Sequence, residues 1–150
     1  MDDVNIYIET RIRGLRAKKG YYSYVLEALD CDGYPREKDV KISYGMVEDA
    51  TETKLTLAAL TEALKRFKKP CSIRVNTECG GFLNALSEGW VRSWKKNGWK
   101  NAKGEPVKNA DLWQEFVELA SNHLYSCEKG VHKYRAWQQS ELEKIEREDR

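Results

Sequence analysis

The chain has 150 residues, 41% of them hydrophobic and 33% charged, and carries a net charge of only +2. A chain of that length buries roughly 68–70% of the surface its unfolded form exposes, so it needs no disulfide or metal staple to fold. With charge of both signs, no low-complexity run and no apolar stretch near 18 residues, the composition is ordinary globular and excludes a membrane-spanning helix.

The opening "MDDVNIYIE" is acidic and lacks the apolar core of a signal peptide. Its Val4, Ile6 and Ile8 alternate, which predicts a strand over residues 4–9. "RIRGLRAKKG" follows as a turn ending at Gly20, with five basic residues and no acid from Arg11 to Lys19. "YYSYVLEAL" is rich in β formers and predicts a second strand. Asp32-Gly33 is a hairpin signal, and "KDVKISYG" (Lys38–Gly45) alternates as a third strand. Three strands joined by short loops imply an antiparallel meander.

The period then changes. Leu57, Leu60, Leu64 and Phe67 recur at helical spacing, and Pro70 stops that helix. "CSIRVNT" (Cys71–Thr77) is a short apolar strand, and strand, helix, strand suggests a crossover onto a parallel neighbour. "FLNALSEGWVRSWKKNG" predicts one or two short helices ended at Asn97-Gly98. Asn109 is placed to cap the next helix, with Leu112, Phe116, Leu119 and His123 as its inner stripe. "LYSCEKG" is a weak last strand, and "YRAWQQSELEKIERE" a C-terminal helix. With no repeat and no linker, residues 1–150 are expected to form one α/β domain. Cys31, Cys71, Cys79 and Cys127 include no CxxC pair, so the expectation is a reduced, cytoplasmic protein, monomeric and away from membranes.

The segment from Gly89 to Phe116 holds four of the five Trp, with six Lys or Arg against the single acid Glu105 between Trp90 and Lys108. Trp90 and Trp94, four residues apart, are placed to anchor a helix while Arg92, Lys95 and Lys96 face outward. On the residues alone, two readings compete. The Trp are core and the Lys a solvated face, or the cations lie against polyphosphate.

The element order, with "WVRSWKKNGWKNAKGEPVKNADLWQEF" (Trp90–Phe116), resembles ribonuclease H, specifically the bacterial type I enzymes. "IYIET", "GLRAKKGYYSYVL" and "CSIRVNTE" support the resemblance, which covers nearly the whole chain. It implies a ribonuclease H-like fold, a five-stranded mixed sheet flanked by helices. It also implies that residues 90–108 form the family's basic handle on the DNA strand of an RNA–DNA hybrid. Arg92, Lys95, Lys96, Trp99, Lys100 and Lys103 are then nucleic-acid contacts. In the substrate-gripping turn, Arg11 and Arg13, with Arg16, Lys18 and Lys19, replace the family's polar readout with charge. Thr51 and Thr53 offer hydroxyls to phosphate or sugar.

The resemblance further implies hydrolysis of the RNA strand with two Mg²⁺ ions, or Mn²⁺, held by four carboxylates. Glu9 stands at the first of those positions and Glu78 at the third, each where the family has Asp. Thr56 stands at the second and Ser140 at the fourth, so two ligands are lost. Glu52 and Glu141 are the conceivable substitutes. His132 corresponds to the family's mobile-loop His, one position off the motif, while His123 is expected to pack or cap. A plain salt bridge is the competing reading of Glu9 and Glu78, with Arg11 and Lys54 as partners. The favoured function is a nucleic-acid-binding protein that recognises RNA–DNA hybrid or a related duplex, with hydrolysis in question. The alternatives are an active Mg²⁺-dependent endoribonuclease and a protein-interaction domain on an inherited fold.

Overall fold

The computed structural model describes residues 1–30 and 32–149, and of residues 37–39 the backbone only. Cys31 therefore lies outside the described residues. Three antiparallel strands open the chain: β1 (Asp2–Arg11), β2 (Ala17–Leu29) and β3 (Pro35–Ala50). Helix α1 (Glu52–Leu64) crosses to β4 (Cys71–Asn76), which lies parallel to β1. Helices α2 (Gly80–Ser87), α3 (Trp90–Lys96) and α4 (Ala110–Ala120) follow, then β5 (Leu124–Glu128) and α5 (Arg135–Glu148). The strands form one mixed sheet of order β3-β2-β1-β4-β5, as the meander and crossover predict. No helix among the described residues is long and apolar enough to cross a membrane.

Strand alternation sorts the sheet into two unlike faces. Val4, Ile6 and Ile8 of β1, Tyr22, Tyr24 and Leu26 of β2, and Ile73 and Val75 of β4 belong to the apolar core with Leu57, Leu60 and Leu64 of α1. Asn5, Tyr7 and Glu9 point the other way, toward α5, and so does Glu27 opposite Asn5. This polar face is also covered. Gln138 of α5 is fully buried and donates to the Tyr7 carbonyl and the Ser23 hydroxyl. Glu27 is 1% exposed and accepts hydrogen bonds from Asn5, Tyr7 and Tyr134, with Lys133 Nζ at 2.7 Å. Burial alone would raise the Glu27 carboxyl, but the bonds from Lys133, Tyr134 and Asn5 outweigh it and hold it below its ordinary value.

Several local expectations change in detail. The third strand begins earlier and ends later than residues 38–45, because pairing with β2 continues from Leu29↔Pro35 to Ala17↔Ala50. The hairpin is tied by Asp30, whose Oδ1 accepts from the amides of Asp32 and Tyr34, with Gly33 at φ 85. Asn109 has φ 60 and makes no side-chain cap, so α4 begins without the expected Asn hydrogen bond. The inner stripe of α4 is Trp113, Phe116 and Ala120, with Leu112 and Leu119 only partly buried.

Candidate nucleic-acid interface and carboxylate centre

The segment expected to form the handle, residues 90–108, lies on the α2–α4 side of the molecule. Trp113 stacks on Phe82 at 5.6 Å and meets Trp94 edge-on at 5.7 Å. Val91 and Val107 are buried beside them, and Trp99 packs on the same cluster. Trp90 is 47% exposed, so the anchors are Val91 and Trp94 rather than the expected Trp90 and Trp94. The reason is angular: Val91, Trp94 and the chain's return through Trp99 share the inward face, while Trp90 leads into the helix from Gly89 at φ 76. The distal loop is held by Asn101, whose Oδ1 accepts from the amides of Lys103 and Glu105. Trp99 itself adopts φ 64, and its amide and carbonyl bond Trp94 and Val107.

Arg92, Lys95, Lys96, Lys100, Lys103 and Lys108 are all exposed. Among the described residues, the ion pairs leave these six without a carboxylate at ion-pair distance. Beside the handle lies a cleft of about 440 Å³ whose lining includes Thr51, Thr53, Trp90, Trp94 and Lys108. The structure thus brings the two candidate threonines and the handle to one opening. Thr51 also caps α1, accepting from the Lys54 amide at 3.2 Å. Thr53 Oγ1 lies 3.6 Å from Cys79 Sγ.

The basic turn behaves differently. Arg11 Nε and Arg13 Nη2 each lie 3.0 Å from a different oxygen of Glu146, a residue of α5 that is 7% exposed. Arg16 pairs with Asp49, and Lys19 with Asp149. The Arg16 guanidinium holds the Asp49 carboxyl below its ordinary value. Arg11 and Arg13, expected as free nucleic-acid contacts, are instead matched by the protein's own acids. Arg11 and Lys54 are likewise not the partners of Glu9 and Glu78. Lys54 Nζ donates to the carbonyls of Glu48 and Asp49.

Glu9 ends the inward run of β1 and is 4% exposed. Because β1 and β4 run parallel with Tyr7 level with Asn76, Glu78 emerges just past β4 on the neighbouring strand end. The Glu9 carboxylate is ringed by donors. Its Oε1 accepts from Gln139 Nε2 at 2.8 Å, and its Oε2 meets His132 Nε2 at 2.9 Å. His132 Nδ1 accepts from the Tyr134 amide, so the ring proton sits on Nε2 and is donated to Glu9. The imidazole is stacked on Tyr7 with centroids 4.7 Å apart. Burial, then Glu27, pushes the Tyr7 hydroxyl up to about 12. Arg135, the first residue of α5, sets Nε 3.6 Å from Glu9 Oε1 and Nη1 4.0 Å from Glu78 Oε1.

Two expected site positions fall elsewhere. Thr56 is fully buried on α1 and donates its hydroxyl to the Glu52 carbonyl, which removes it from the centre. Ser140 is exposed; α5 turns Gln139 toward Glu9, because Gln138 and Leu142 face the sheet and fix the helix rotation. Glu141 pairs with Lys144, and Glu52 is exposed at the start of α1, so neither joins Glu9. Gln139 and Arg135 were not singled out from sequence. Their spacing of four residues, which puts both on one helix face, is the signal that was present.

A five-stranded mixed sheet of this order, with acidic side chains at the ends of β1 and β4, defines the ribonuclease H-like class. The RNase H family model matches residues 3–129, and the chain belongs to the RNase H family. A ribonuclease H of Caldicellulosiruptor saccharolyticus is 39% identical over 89 residues, 59% of this chain and 61% of that protein, so the chain spans about three fifths of this relative's length. LC9-RNase H1, a type 1 RNase H with the type 2 active-site motif, matches with a TM-score of 0.74 at 18% identity, over 93% of this chain and 69% of that one. LC11-RNase H1, solved in complex with RNA/DNA hybrid, matches with a TM-score of 0.57 at 12% identity, over 91% of each chain. At those identities the likeness is one of fold.

The RNase H family generally uses divalent metal ions. The residues present here do not fit such an ion. A hard cation needs open oxygen lone pairs in near-octahedral array. Both Glu9 oxygens instead accept from nitrogen donors, and a guanidinium stands beside both glutamates. Among the described residues, no three His, Cys, Asp or Glu side chains are grouped to hold a metal.

Proposed function

We propose that this chain grips RNA–DNA hybrid or a related duplex through its handle and does not cut it. The observation that carries this reading is the contrast between its two basic segments. Four of the five cations of the turn, Arg11, Arg13, Arg16 and Lys19, are paired with Glu146, Asp49 and Asp149, whereas the six cations of the handle have no carboxylate at ion-pair distance among the described residues. Exposed cations without acidic partners, one of which (Lys108) lines the cleft with Thr51, Thr53, Trp90 and Trp94, suit a phosphate backbone. Releasing condensed counterions then supplies affinity without reading sequence.

Hydrolysis lacks its parts in this reading. With His132 Nδ1 accepting from a backbone amide and Nε2 donating to Glu9, both ring nitrogens are held by the protein itself. Each oxygen of the Glu9 carboxylate likewise accepts a hydrogen bond from a protein nitrogen. What the centre does is join β1, the loop before α5 and α5 itself into one rigid unit.

The test is fluorescence anisotropy with labelled hybrid, double-stranded RNA and double-stranded DNA across a salt series, run beside a cleavage assay in Mg²⁺ and Mn²⁺. Binding that weakens steeply with salt, with intact RNA, is the expected result. A second reading, a metal-dependent endoribonuclease, is favoured by the position of Glu9 and Glu78 at adjacent strand ends. RNA cleavage that disappears in Glu78→Gln would establish it and displace the first.

A further inference from the structure

We propose that Arg135 is the resident cation of the carboxylate centre. Its guanidinium takes the place of a divalent ion between Glu9 and Glu78, so the repulsion of the two carboxylates is relieved without metal. The inference deepens the binding reading above and rests on it only for the nucleic-acid arm of the test.

Two glutamates at neighbouring strand ends repel each other, and because Glu9 is buried that repulsion is screened less than between two surface acids. A protein can relieve it by binding an ion, by protonating one acid, or by supplying a fixed positive charge. Here the fixed charge is Arg135. Arg135 reaches Glu9 Oε1 with Nε at 3.6 Å and Glu78 Oε1 with Nη1 at 4.0 Å. One planar group therefore faces two carboxylates from neighbouring strand ends, a geometry that suits a guanidinium. The charge is permanent, since Arg does not lose its proton in proteins.

The neighbours fit this assignment. Gln139 lies one turn on from Arg135 and fills the remaining approach to Glu9 Oε1 with an amide N–H at 2.8 Å. His132 closes Oε2. An incoming cation would meet an N–H group at each oxygen of that carboxylate. It would also meet a like charge.

Arg135 is only half covered, with its side chain 43% exposed. Its solvent-facing N–H groups remain free to meet a backbone phosphate, as a metal-bound phosphate oxygen would otherwise be met. Nucleic-acid binding should then be indifferent to chelator.

The decisive measurement is Mn²⁺ titration followed by loss of the free Mn²⁺ paramagnetic resonance signal, with no nucleic acid present. Wild type should bind no Mn²⁺ through Glu9. Arg135→Gln should gain a site at least about tenfold tighter, the scale on which neighbouring groups tune metal affinity. That gain should vanish in Arg135→Gln/Glu9→Gln and should not appear in Arg135→Lys, which keeps the positive charge. Arg135→Gln should also melt at a lower temperature and be rescued by Mn²⁺. A Glu9-dependent Mn²⁺ site in wild type overturns the proposal, as does an equal gain in Arg135→Lys or no gain in Arg135→Gln. If Arg135→Gln does not fold, the wild-type titration and the Arg135→Lys variant decide alone. In the nucleic-acid arm, hybrid affinity of the wild type should be unchanged by EDTA. Absence of hybrid binding would sink the functional reading and leave the Mn²⁺ result standing.

Discussion

Glu9 and His132 are 123 residues apart in the chain and meet at 2.9 Å, each side chain only 4% exposed. The pair ties the end of β1 to the loop that launches α5. A buried carboxylate is tolerated where its charge is matched and its lone pairs accept hydrogen bonds, and Glu9 has both. Its position is that of a metal-holding carboxylate in the family resemblance, but its surroundings are those of a structural clasp.

Replacing Glu9 by Gln tests which of these it is. The amide keeps the shape but offers one oxygen, so its NH₂ must oppose either His132 or Gln139, both donors here. We expect a loss of about 1–3 kcal/mol, the scale for leaving buried polar groups unmatched. The midpoint of urea unfolding measures it. Stabilisation instead would mean that Glu9 and Glu78 stand in unrelieved repulsion, as at a metal site awaiting its ion.

The rotation of α5 gives a sharper comparison. Ser140 is exposed, so Ser140→Asp should change stability by less than about 0.5 kcal/mol. Gln139→Asp removes the donor to Glu9 and sets a second carboxylate beside the first. It should cost about 1–3 kcal/mol by thermal unfolding. The reverse order would show that residue 140, not 139, faces the centre.

These two residues also show how far the sequence could be read. Alternation in β1 and the shift to helical spacing at Leu57–Leu64 fixed the element order, because both signals are local and repeat along the chain. The facing of α5 was not legible in that way. Its rotation is set by Gln138 and Leu142 packing on the sheet, and a polar residue fully buried on the inner face gives no apolar stripe to read. The match between Arg11 and Glu146 spans 135 positions, so no spacing rule reaches it. The handle was the opposite case. Its lone acid and crowded tryptophans announce it in composition, though not that Trp90 would stay in solvent.

His123 supplies a pH test independent of the site. Its Nδ1 accepts from the Cys71 amide, and the ring meets Phe67 edge-on. Burial pushes its imidazole below its ordinary value of about 6.5. The unfolded chain therefore takes up this proton first as pH falls. The contribution to stability is complete above about 6.5 and is lost as pH drops through the lower folded value. His123→Gln should flatten the stability profile between about pH 7.5 and 5. If denaturant midpoints of wild type and variant fall in parallel over that range, His123 is not the group that titrates.

The last prediction separates the two basic segments by their salt dependence. Each phosphate neutralised adds about 0.9 to the slope of log affinity against log salt on duplex DNA. Lys95→Ala/Lys96→Ala removes two cations that have no acidic partner among the described residues, so hybrid affinity should fall and the slope should shrink by about 1–2. Arg11→Ala should leave the slope almost unchanged, because Arg11 is engaged by Glu146 at 3.0 Å. Glu146→Gln turns that argument round. It should lower stability, since Glu146 is 7% exposed and matched by both Arg11 and Arg13, yet weaken the hold on two cations and steepen the slope by about 1–2. Anisotropy titrations of the four proteins at several salt concentrations decide it. Equal slopes for wild type and the lysine double variant would mean that the handle does not carry the nucleic acid, and a loss of slope in Arg11→Ala would move the interface to the turn.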